Sequence, residues 1–92
     1  MWTEIKNCAV ELFGSQRIAF TETSTSLVGE VFCESGLGQA AMAELLDSMR
    51  NAISQGCVFR IHNNKPRVVI IAATSRTAAA TVEAQQGLKI AA

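Results

Sequence analysis

Apolar positions recur along this chain with two different periods, and the switches between them mark its elements. From Met1 to Phe13, the residues Trp2, Ile5, Ala9, Leu12 and Phe13 fall mostly three or four apart, which is the spacing of one helix face. Gly14 stands where that helix would end. From Arg17 to Glu22 the period drops to two, with Ile18 and Phe20 on one side and Arg17, Ala19 and Thr21 on the other. Leu27 to Glu34 predicts a second strand. The polar run Thr23-Ser24-Thr25-Ser26 suits a turn, so the two strands read as a hairpin. Gly29 inside the second strand implies either a bulge or a close backbone approach.

Leu37 to Gln55 carries the clearest helical pattern. Met42, Leu45, Leu46, Met49, Ala52 and Ile53 form one apolar stripe, Ser35 is placed to cap the start, and Gly56 is placed to end it. Cys57 to His62 and Arg67 to Ala73 then predict a second hairpin around Asn63-Asn64-Lys65-Pro66. The unbroken run Val68-Val69-Ile70-Ile71 points to a strand covered on both faces or central in its sheet. Thr74 to Gln86 predicts a last helix capped by Ser75 and ended by Gly87, with Leu88 to Ala92 left to fray or dock.

The order is therefore α-β-β-α-β-β-α. The fold class expected is α+β: one domain over residues 1–92, with a four-stranded, mainly antiparallel sheet of two β-hairpins and two or three helices packed on it. The order of strands within the sheet does not follow from the pattern.

Composition adds four constraints. Ninety-two residues that are 49% apolar and 17% charged fold rather than remain disordered, but they bury a thin core. The longest uninterrupted apolar stretch, Val68 to Ala73, is far short of the roughly 20 residues a membrane-spanning helix needs. Glu4, Lys6 and Glu11 interrupt any signal-peptide core, so a cytoplasmic location is expected. Cys8, Cys33 and Cys57 are odd in number and widely spaced, which predicts reduced thiols packed as small hydrophobes.

Charge totals zero but is unevenly placed. Residues 1–47 hold two cations against seven acids, net −5, and residues 48–92 hold six cations against one acid, net +5. Either the basic half faces an acidic or nucleic-acid partner, or the two halves neutralise each other in the fold.

Enzymatic readings lack their parts. His62 is the only histidine, so any Cys–His or Ser–His pairing must use it; alternation puts it on the face of Arg60, where a solvent-facing position is expected. The soft metal ligands Cys8, Cys33, Cys57 and His62 are scattered over three predicted elements, so no metal site is expected. No glycine-rich phosphate loop occurs, and Gly36-Leu37-Gly38 reads as a flexible helix entry. No catalytic residue, cofactor or small-molecule substrate is assigned.

The remaining concentration of chemistry is the hairpin Arg60-Ile61-His62-Asn63-Asn64-Lys65-Pro66-Arg67, which carries no acid. Such a tip can grip phosphates or a carboxylate-rich surface. With Arg76 it gives a candidate contact site of Arg60, His62, Asn63, Asn64, Lys65, Arg67 and Arg76. On this reading, replacing Arg60 and Arg67 by alanine leaves folding intact and weakens partner binding. Trp2 is assigned to the core.

With these features in place, the chain resembles the small phage-encoded anti-CRISPR proteins, in particular those acting on type I-F surveillance complexes. The resemblance spans the whole chain and rests on general features. These are its size from Met1 onward, a single α+β domain, no catalytic constellation, and a basic edge at Arg60, Lys65, Arg67 and Arg76. It implies a stoichiometric, non-enzymatic inhibitor in the host cytoplasm that binds the multi-subunit protein–RNA complex and blocks target DNA hybridisation. Basic hairpin residues would then contact backbone subunits or the guide RNA. The dispersed acids of the first half depart from a DNA-mimicking surface. The competing readings are a structural or assembly module, homodimeric through an exposed strand, and a small enzyme using cysteine or His62.

Overall fold

The observed element order is the one the pattern predicts. In the computed structural model, which describes residues 2–88 apart from the side chains of Ala52 and Ile53, the chain runs through α1 (Thr3–Phe13), β1 (Ile18–Glu22), β2 (Ser26–Phe32), α2 (Gln39–Ser48), a short α3 (Arg50–Ser54), β3 (Val58–Asn64), β4 (Arg67–Ala73) and α4 (Arg76–Gln85). Met1, which opens the first predicted segment, and the stretch from Lys89 to Ala92, which closes the last, lie outside the described residues.

The strands form one antiparallel sheet in the order β1-β2-β4-β3. Each hairpin pairs its own strands, and β2 and β4 join the hairpins, with Val28 opposite Ile71 and Val31 opposite Val68. The central place of β4 accounts for its unbroken apolar run: Val68, Val69 and Ile71 are fully buried and point alternately to both sides.

Helices cover both faces. On one side, α1 and α2 pack with Ile18, Leu27, Val31, Val68, Ile70 and Ala72 around Trp2, Ala9, Leu45 and Met49. On the other, α4 lays Ala79 and Val82 against Val28, Val69, Ile71 and Ala73. Trp2 is buried, and its indole N–H donates to the carbonyl of Thr23 at 2.9 Å, tying the start of α1 to the first hairpin turn. Burying the ring while satisfying its one donor is the usual condition for a core tryptophan.

Gly29 resolves as a close approach. Both ladders through β2 pair without interruption, and a Cβ at Gly29 would meet Ile18 at 3.1 Å and Phe20 at 3.2 Å. The side chains of β1 fold over the space that glycine leaves.

The predicted helix of Leu37 to Gln55 is shorter and broken. Its first helical residue is Gln39 after Gly38, with no side-chain cap, so Ser35 does not serve as one. At Met49 the backbone turns to φ −93° and ψ 1°, and its N–H is shared between the carbonyls of Leu45 and Leu46. Among the described side chains of the stripe, Leu45 and Met49 are buried, while Leu46, placed in it by spacing, is 44% exposed. In α4 the prediction for Ser75 holds: its hydroxyl accepts from the N–H of Ala78 at 3.1 Å.

The three cysteines are unpaired and half-buried, packed against the core cluster that α1 and α2 share with the sheet. Among the described residues no helix is long and apolar enough to cross a membrane.

Candidate functional site

Alternation along β3 places Arg60, His62 and Asn64 on the face covered by α4. Register places Ile71, Val69 and Arg67 of β4 beside them in turn. Along α4, Ala79, Val82, Glu83 and Gln86 follow the three-and-four spacing of one face, and this is the face turned to the sheet.

Glu83 therefore descends onto β3 with no exposed surface. Its Oε1 accepts from the guanidinium of Arg60, and its Oε2 lies 2.5 Å from His62 Nε2. A carboxylate can only accept, so the ring nitrogen facing it carries the hydrogen. A buried charge needs such partners, because the several kcal/mol lost on leaving water returns only through close, well-satisfied contacts. No buried side-chain polar atom among the described residues lacks a partner.

This geometry corrects the expectation of a solvent-facing histidine: the His62 side chain is 14% exposed and held by Glu83. Arg60, at 21% exposure, is likewise committed to α4. That contact with Glu83 gives Arg60→Ala an expected cost in stability, which the sequence alone does not include.

The other hairpin residues separate. Arg67 Nη2 donates to Glu30 at 2.7 Å and to Gln86 at 2.6 Å, so it braces β2 and the end of α4. Its ion pair with Glu30 joins the acidic and basic halves of the sequence, as does Asp47 with Arg50. Asn63 turns to the opposite face and grips the Leu37 backbone in both directions, accepting from its N–H and donating to its carbonyl, each at 2.9 Å. That bond fixes the loop between β2 and α2 under the hairpin. Asn64 and Lys65 are exposed at the turn, where the Lys65–Pro66 peptide is cis. Arg76 is exposed at the start of α4, beyond the other end of β4. The structure thus groups Arg60 with His62, leaves Asn64 and Lys65 free at the tip, and sets Arg76 apart.

Chemically, the Glu83–His62 pair has the form of a base with its orienting carboxylate, a unit that transfers protons when its other ring nitrogen reaches a reacting group or water. The residues flanking it on β4 are the aliphatic Val69 and Ile71, and the three thiols pack on the far side of the sheet. No group of three His, Cys, Asp or Glu side chains among the described residues is placed to hold a metal.

A second feature lies where α4 stops covering the sheet. Phe32 ends β2 on the α4 face, opposite Arg67 of β4, and its side is 68% exposed. Since Ile18 pairs with Val31, Arg17 comes next to Phe32 on the β1 side. Arg17, in the turn just before β1, lines the same hollow as Phe32 and Arg67. Phe32 is a ridge between two open hollows. One, of about 590 Å³, is lined by Ala19, Val31, Pro66 and the two arginines; the other, of about 570 Å³, runs past Cys33 and Glu34.

Neither Glu83 nor Phe32 is singled out by motif or spacing. Glu83 carries a signal all the same, as the one acid in a half-chain with six cations, set on the apolar side of its helix. Phe32 shares the parity of Val28 and Glu30, but whether that face is covered depends on where α4 ends. No protein-family model matches the chain, and no curated protein matches it.

Proposed function

We propose that this chain is a non-catalytic binding protein, and that it acts as a stoichiometric inhibitor by occupying a surface of a larger assembly. The observation that carries this reading is the solvent-exposed Phe32, which shares a hollow with Arg17 and Arg67 on the part of the sheet face that α4 leaves open. A domain with so thin a core exposes an aromatic ring of this size at a cost in burial, and aromatic and arginine residues are the types enriched where proteins meet. The groups best suited to chemistry are meanwhile engaged in holding α4 to the sheet. His62 and Arg60 bind Glu83, and Arg67 binds Glu30 and Gln86.

The resemblance to type I-F anti-CRISPR proteins names the target for this reading, an RNA-guided surveillance complex in the host cytoplasm whose capture of target DNA is blocked. Asn64, Lys65 and Arg76 remain free for contacts with subunits or guide RNA. The test is to mix the purified protein with a purified type I-F complex and measure binding of a labelled target duplex. Capture is expected to fall in proportion to added protein and to saturate at a fixed ratio. Undiminished capture at several-fold molar excess would sink this assignment of target.

A further inference from the structure

The surface beside Phe32 has a chemistry that selects among occupants. Its larger hollow is walled by Ala19, Phe32 and Pro66, and its rim carries Arg17 and Arg67 against Glu30, a surplus of one positive charge. Arg67 is already neutralised by Glu30. Arg17 is exposed and makes no ion pair among the described residues.

We propose that this hollow receives a protein segment presenting an aliphatic or aromatic side chain beside an aspartate or glutamate. The apolar side chain fills the space against Phe32 and Pro66, and the carboxylate pairs with Arg17. A guanidinium at the edge of an apolar wall is well suited to this, because its planar fork meets a carboxylate in a partly dried setting. A nucleic acid fits less well. It needs several uncompensated cations along its backbone, whereas here a single cation is free, Glu34 lines the neighbouring hollow, and the chain is neutral overall. This inference rests on the binding-protein reading and specifies the partner's chemistry, but it does not depend on the type I-F complex being the target.

The experiment pans a phage-displayed library of random 12-residue peptides on the full chain. Enriched sequences are expected to share an apolar residue within two or three positions of an acid. A synthetic peptide of that sequence should shift the backbone amide signals of Gln16 to Ala19 and Glu30 to Phe32. Phe32→Ser should weaken it by more than about tenfold, the loss expected of a central interface residue, and Arg17→Glu by a similar factor, because it sets like charges against each other. Arg17→Ala, milder for folding, should weaken it in the same direction. Arg17→Glu should regain binding to the peptide whose acid is changed to lysine.

Enrichment of basic peptides, failure to enrich any, or amide shifts confined to the hairpin turn would each overturn the proposal. So would tighter binding of a labelled single-stranded 12-nucleotide RNA or DNA that Arg17→Glu abolishes, which would make nucleic acid the occupant. A dimer in sedimentation that Phe32→Ser dissolves would make the occupant a second copy. A positive peptide result beside a negative DNA-capture assay removes the named target and leaves the surface standing. The reverse result removes the surface alone.

Discussion

His62 Nε2 lies 2.5 Å from Oε2 of Glu83, and through that contact the last helix is fastened to the edge strand of the sheet. Arg60 takes the other carboxylate oxygen. Removing Glu83 leaves the half-buried Arg60 guanidinium without its counter-charge, whereas removing all three members leaves an apolar contact. Glu83→Ala is therefore expected to lower unfolding free energy by about 3–5 kcal/mol, in the range for breaking a buried pair. The triple change Glu83→Leu, Arg60→Met and His62→Leu should recover most of that loss. Urea denaturation of the three proteins checks this, and a triple variant as weak as Glu83→Ala would refute it.

The adjacent leucines of α2 separate packing from pattern. Leu45 is fully buried and Leu46 is 44% exposed. Leu45→Ala should cost about 2–5 kcal/mol, as buried leucines do, while Leu46→Ala should stay within roughly 0.5 kcal/mol of the parent. Chemical denaturation of the pair decides whether the narrow stripe or the wide one is correct.

Gly36 has a φ of +72°, and a Cβ there would sit 2.6 Å from Asn63 Oδ1, the atom that accepts from Leu37. Gly14 has a φ of +90° with nothing nearby. Gly14→Ala should show only the backbone cost, about 1–3 kcal/mol, because its φ of 90° and ψ of 142° lie outside the left-handed helical well. Gly36→Ala should cost about 1–3 kcal/mol more, because it also displaces the Asn63 clamp and its two hydrogen bonds. Equal losses in thermal or urea unfolding would show that the clamp contributes nothing.

Ser75 accepts from the Ala78 N–H at the start of α4. Ser75→Ala should destabilise by about 1 kcal/mol, and Ser75→Asp should restore the loss, because aspartate accepts the same bond and suits the positive end of the helix. Melting temperatures of the two variants provide the measurement.

The fold was legible where a local period and a local terminator agreed. The two hairpins, the core position of Trp2 and the cap at Ser75 all come from residues close in sequence. The helix entry at Ser35 was not legible: the loop is held instead by Asn63, 26 positions away from Leu37. The candidate site divides in the same way. Arg60, His62 and Arg67 could be placed on one face by counting, but their partners Glu83, Glu30 and Gln86 come from other elements.

The sequence by itself determined the kinds of element, their order and the parity of each strand, because these depend on backbone propensity and on which side chains repeat every two or three to four residues. Tertiary structure alone decided the strand order β1-β2-β4-β3, the assignment of α4 to the face opposite α1 and α2, and hence which charges lie inside. A parity rule places Arg60 and Phe32 on a face but says nothing of what covers it. The covering depends on the reach of a helix packed from elsewhere, so His62 ends up bound and Phe32 ends up bare.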